Sequence, residues 1–129
     1  MTDYCVPVSP PTSAHVNIVT ADNATFQDAY QFDDETDTSW SFTGKTFRMD
    51  IKANKEAFVA LLSITSAAGQ IVVDDAVTRI LHFNVPAATL VAVMPPGYYV
   101  YDLIMTDGSS VRTPLMYGEF VLDHGVTGG

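Results

Sequence analysis

Cysteine is almost missing from this chain. Cys5 is the only one among 129 residues, so an internal disulfide and a cysteine-built zinc cluster are both excluded and the fold must rest on packing. Positive charge is nearly as scarce. Six Lys and Arg stand against fifteen Asp and Glu, for a net charge of -9. The resulting long-range field opposes phosphate, so nucleic acid is not an expected partner. No run approaches the ~18 consecutive apolar residues of a membrane span, so no membrane partner is expected either. Residues 1 to 11 lack the basic start and apolar stretch of a secretory signal, and the expectation is synthesis and folding in a cytoplasm. Charged residues make up only 16% of the chain, whereas 47% is apolar and 11% aromatic, far from the profile of disordered chains. A chain of this length forms one domain that buries roughly two thirds of its unfolded surface.

Helical periodicity is also scarce, and period-two patterns take its place. In Lys45 to Lys52, Phe47, Met49 and Ile51 fall on one side and Thr46, Arg48, Asp50 and Lys52 on the other, the pattern of a strand with one buried face. Similar strand signals cover His15 to Thr20, Thr25 to Phe32, Phe58 to Thr65, Gln70 to Val73, Val77 to Phe83, Gly97 to Thr106 and Val111 to Leu122. Pro86, followed by Ala87 and Ala88, suits one short helical turn before Pro95 and Pro96. Asp107-Gly108 has the chemistry of a tight hairpin, with Gly108 expected at positive φ, and Pro114 points to an edge or a bulge in the last strand. In Gly97-Tyr98-Tyr99-Val100-Tyr101, Tyr99 is placed like the tyrosine corner of immunoglobulin-like sandwiches.

The expectation is an all-β, immunoglobulin-like antiparallel β-sandwich of about seven or eight strands. Its core is expected to contain Phe47, Met49, Ile51, Leu81, Phe83, Tyr99 and Tyr101. The sandwich spans residues 14 to 124. An extended arm with three prolines precedes it over residues 1 to 13, and a flexible tail follows over residues 125 to 129. With its prolines the arm is poorly suited to its own sheet, so Tyr4, Val6 and Val8 are expected to contact another subunit.

Catalytic signals are lacking. His15, His82 and His124 are far apart and outside any metal motif, and there is no phosphate-binding glycine loop, nucleophile elbow or His-Glu-x-x-His pattern. The chain reads as a non-enzyme without a cofactor. The acidic run supplies one weak calcium candidate, Asp33, Asp34, Glu35 and Asp37, although its spacing is not that of an EF-hand and a solvated loop explains it more simply. Trp40 and the six tyrosines raise a carbohydrate-binding alternative, with a host-surface glycan as partner. Charge is unevenly spread, since residues 1 to 44 hold seven acids and no base while residues 45 to 129 hold eight acids and six bases. The acidic third suits either docking to a basic partner or solubility.

Three segments carry a family resemblance. Ser41-Phe42-Thr43-Gly44-Lys45-Thr46-Phe47-Arg48-Met49-Asp50-Ile51-Lys52 resembles the D-L-T-G-y-t-a-x-m-x-I-r segment of small phage virion proteins, including the amino-terminal domain of baseplate upper proteins. Pro96-Gly97-Tyr98-Tyr99-Val100-Tyr101-Asp102-Leu103 resembles their P-G-x-Y-x-Y-D-L strand, and Thr113 to Val121 resembles their closing strand, with Val126-Thr127 beyond it. The resemblance implies a non-catalytic immunoglobulin-like domain of a tailed-phage particle, assembled in the host cytoplasm by contact with other virion proteins and copies of itself. Tail, neck and baseplate are the implied positions, with capsid decoration as the alternative.

Overall fold

The structure, a computed structural model, describes residues 3–7, 13–34, 37 and 39–125, without the side chains of Asp3 and Tyr4. Ten strands occur among these residues: β1 (Asp3–Pro7), β2 (Ala14–His15), β3 (Ile18–Ala21), β4 (Ala29–Asp33), β5 (Thr46–Lys52), β6 (Leu62–Thr65), β7 (Ile71–Asp75), β8 (Ile80–Phe83), β9 (Gly97–Thr106) and β10 (Arg112–Asp123). One helix, α1 (Ala87–Val91), follows Pro86 as its composition predicts. The strands form two sheets packed as a β-sandwich. One runs β1-β4-β8-β7, and the other runs β2-β10-β9-β5-β6, with β3 also paired to β10.

The amino-terminal segments depart from an all-antiparallel plan. β1 pairs in parallel with β4, and both β2 and β3 pair in parallel with β10. Short-range turn signals cannot announce such pairings, because a parallel neighbour is reached only through a long connection.

Alternation explains the rest. The inward faces of β5 and β9 bury Phe47, Met49 and Ile51 against Tyr99, Tyr101, Leu103 and Met105, while β8 contributes Leu81 and Phe83 from the facing sheet. β10 buries two successive residues, Leu115 and Met116. The register with β9 shifts between Pro114 and Met116, so a bulge at this point resets which side chains face inward, as Pro114 foretold. Two aromatic chains cross between the sheets. Phe120 meets Phe26 edge-on at 5.6 Å and Phe26 stacks on Phe83 at 5.3 Å, while Phe47 meets Phe42 at 4.8 Å and Phe42 meets Phe32 at 5.9 Å. In each chain the middle ring lies outside the named strands. Such edge-to-face and offset contacts add to the apolar burial of the rings themselves. Tyr99 donates its hydroxyl to the carbonyl of Pro95, four residues upstream, which is the tyrosine-corner arrangement.

Four local expectations need correction. The β9–β10 hairpin is present, but Ser110, not Gly108, holds the positive φ, at 64°. The Ser110 amide donates to the Asp107 carbonyl at 3.1 Å, while the Asp107 carboxylate accepts the amides of Ser109 and Val111 at 2.8 and 3.0 Å. The left-handed residue therefore comes at the end of the turn rather than inside it. Residues 58 to 61 are loop, not strand. At the amino terminus, residues 3 to 7 form an edge strand of their own sandwich, and Val6 is 2% exposed within the core. That side chain is unavailable to another subunit, so the free arm over residues 1 to 13 does not hold for this stretch. Proline is tolerated there because β1 is an edge strand and Pro7 is its last residue. The backbone of Tyr4 pairs with Tyr30, and Val8 lies outside the described residues. At the other terminus the Gly125 amide donates to Asp22 at 2.7 Å, so the tail expected from residue 125 is held at its first residue.

Removing residues 2 to 7 is expected to lower the unfolding free energy read from a denaturant melt by about 2 kcal/mol, through loss of the buried Val6 side chain and its strand. An unchanged melt would return β1 to the status of a free arm.

Candidate functional site

The described part of the acidic run, Asp33, Asp34 and Asp37, does not gather into a cation cage. Asp34 is 3% exposed, its Oδ1 accepting the Asp37 amide at 3.1 Å and its Oδ2 the Trp40 indole N–H at 2.9 Å. Asp37 accepts hydrogen bonds from the Ser39 hydroxyl and amide, which hold its carboxyl below the usual range. Asp33 is the last residue of β4, and Glu35 lies outside the described residues. No cluster of three metal-ligating side chains forms among the described residues, where Asp34 sits instead in a cap of internal hydrogen bonds.

Arg79, placed by its spacing on a strand, instead occupies the β7–β8 turn with φ 59° and is 5% exposed. Its Nε donates to the Phe32 carbonyl at 2.9 Å and its Nη1 to the Trp40 carbonyl at 3.0 Å, while the guanidinium carbon sits 4.8 Å from the centre of the Trp40 ring. A buried charge is tolerable when its donors are satisfied, and the planar fork of arginine suits carbonyls on separate segments. The arrangement ties the end of β4 and the segment before β5 to the β7–β8 turn. It also covers one face of Trp40, the ring on which the carbohydrate alternative rests.

The outer face of the six-stranded sheet carries a hollow of about 440 Å³. Register across four strand pairs sets His15, Tyr117, Asp102, Asp50 and Ser63 in one row. Glu119, Val100 and Lys52 form the next row, and Lys55 from the β5–β6 loop adds to the wall. The rings of His15 and Tyr117 lie 5.2 Å apart. Period-two patterning predicts that these residues face outward, but only the pairing of β2 with β10 brings His15 to them.

Two carboxylates stand directly opposite each other here. Burial alone would raise Asp50, but hydrogen bonds from Arg48 at 2.8 Å and Ser63 at 2.7 Å, with the charges of Arg48 and Lys52, outweigh it and hold the carboxyl low. Asp102 has no such donors. Partial burial, followed by the charge of Asp50, pushes its carboxyl up, and Lys52 offsets only part of this. The hollow thus joins aromatic rings to charges of both signs, a combination suited to recognition.

Its floor depends on Gly118. A Cβ at this position would meet the Val16 carbonyl oxygen at 2.4 Å and the Asn17 Oδ1 at 2.9 Å. That close crossing lets the Val16 amide donate to Tyr117 at 2.8 Å, the Tyr101 hydroxyl reach the Val16 carbonyl at 2.5 Å, and the Glu119 amide donate to Asn17 at 3.0 Å. The other two histidines lie outside the hollow. His82 faces Asp74 at 3.1 Å and His124 faces Asp22 at 2.9 Å.

No protein-family model matches the chain, and no curated protein matches it. One similar solved structure is the crystal structure of CopC from Methylosinus trichosporium OB3b, at 11% identity over 92% of each chain with a TM-score of 0.44. A likeness this distant carries no argument about the chemistry of the present chain.

Gly118→Ala is expected to cost about 1–3 kcal/mol, because the Val16 backbone must move to admit the methyl group. Its signature in a spectrum of the folded protein would be a displaced Tyr101 hydroxyl environment, and full stability would contradict the close crossing. Asp102→Asn should raise the melting temperature slightly at neutral pH. The raised folded-state pKa means that Asp102 favours folding when protonated and loses that contribution as pH rises through it, so the variant's advantage should close on acidification. A pH-independent difference would remove the role assigned to its charge.

Proposed function

We propose that this protein is a non-catalytic structural component of a tailed-phage particle, built in through contacts with other virion proteins and with copies of itself. The observation that carries the reading is where the three resembling segments fall. They supply β5, β9 and β10, which are hydrogen-bonded neighbours in the order β10-β9-β5. The sequence resemblance therefore describes one contiguous piece of sheet and its register, rather than three unrelated strands.

Outward chemistry supports the same reading. The hollow on the outer face offers aromatic rings and charges of both signs, chemistry suited to contact with another protein surface. Tail, neck or baseplate is the position proposed, with capsid decoration as the alternative.

Mass spectrometry of purified particles is expected to find the chain in stoichiometric amount. Tens of copies per particle would favour the tail region and hundreds would favour decoration, while its absence from intact particles would end the proposal.

A further inference from the structure

The β5–β6 loop, residues 53 to 61, carries the most exposed large apolar side chain among the described residues. Phe58 is 100% exposed and Val59 77%, with Leu61 also exposed. Scattered surface apolar residues are ordinary, but an exposed phenylalanine and an exposed valine side by side form a contiguous apolar projection of the kind that contact sites present. The loop stands next to the outer-face hollow, since Lys55 lines both that hollow and a second one formed with Tyr98 and Glu119. Tyr98 is itself 78% exposed.

Charges around the loop are unspent. Four of the six basic residues fall within positions 45 to 55. Arg48 is paired with Asp50, but neither Lys52 nor Lys55 makes an ion pair among the described residues, and Glu119 makes none. One patch of surface thus holds an apolar projection, a hollow with aromatic walls, free ammonium groups and free carboxylates. A two-fold contact requires each copy to present both halves of the match on the same surface. This patch does so, whereas most of the chain, at a net charge of -9, would repel a second copy.

We propose that the outer face of β10-β9-β5, with the 53–61 loop, is a self-association surface that seats the Phe58–Val59 projection of one copy against the hollow of another, with Lys55 of each facing Glu119 of its partner. The occupant is a second copy of this chain. The proposal names the surface for the self-contact within the virion reading, but its test needs only the purified protein, so the two can fail separately.

Sedimentation velocity of the full chain over a wide concentration range is expected to show reversible association. Phe58→Ser should weaken it ~10-fold, the loss of an aromatic anchor, while leaving the melt unchanged because the side chain touches nothing in the monomer. Lys55→Glu and Glu119→Lys should each weaken association, and the double variant K55E/E119K should restore it, since the swap re-forms the pair with its signs reversed. A chain that sediments as a monomer at every concentration would overturn the proposal. So would association indifferent to Phe58→Ser, or charge variants whose effects add without rescue. Association with this pattern in a protein missing from particles would leave the surface standing and remove the virion role.

Discussion

The crossing of the Val16–Asn17 backbone over Gly118 is the constraint on which the six-stranded sheet depends. β2 and β3 are too short to hold a sheet edge separately, yet both are bonded to β10, and the link between them passes where the partner strand has no side chain. Three hydrogen bonds fasten that link, from the Val16 amide, the Tyr101 hydroxyl and the Glu119 amide. The buried Tyr101 would otherwise lack a partner for its hydroxyl, and burial already pushes the pKa of that group up. The same seam puts His15 beside Tyr117 and so finishes one wall of the hollow. Core packing and the outward site therefore meet at one glycine.

Much of the sandwich was legible because period-two patterning and turn chemistry are local. Phe47, Met49 and Ile51 declare a buried face within seven residues, and the hairpin, the bulge near Pro114, the turn of α1 and the Tyr99 corner all arise from neighbours in sequence. The amino terminus was not legible. Prolines at positions 7, 10 and 11 argue against a central strand, yet β1 needs only an edge, and its partner β4 is reached in parallel across a long connection. Arg79 was misplaced because its alternation with Leu81 and Phe83 is real, but the chain turns there and the guanidinium is spent on carbonyls. A sequence shows that an arginine is present, not that three segments will close around it.

The candidate site was half visible. Outward-facing Asp50, Asp102 and Tyr117 follow from the strand pattern, whereas their row is created by register across separate strands. The acidic run attracted attention through density of charge, but Asp34 turned inward to an indole and an amide, where its acceptors are worth more than at the surface. The loop before β6 read as part of a strand because the bounding turn residues and Ile64-Thr65 favour a strand over a short helix across the whole stretch from Phe58. Composition does not distinguish an apolar residue turned inward from one left in water.

The parallel pairing of β3 with β10 also governs the order in which the molecule can be made. Ile18 lies opposite Phe120 and Ala21 opposite Asp123, so each of these partners is separated by about a hundred residues of chain. On a ribosome, β3 must wait for β10 to emerge before it can find its place. Folding dominated by such distant pairs is slow, and an early amino-terminal segment without its partner leaves Ile18 in water meanwhile. The stretch of chain synthesised near the end is the one that closes the sheet around the beginning. A ribosome that stalls before residue 116 would therefore release a product lacking most of β10 and both of the seams made upon it.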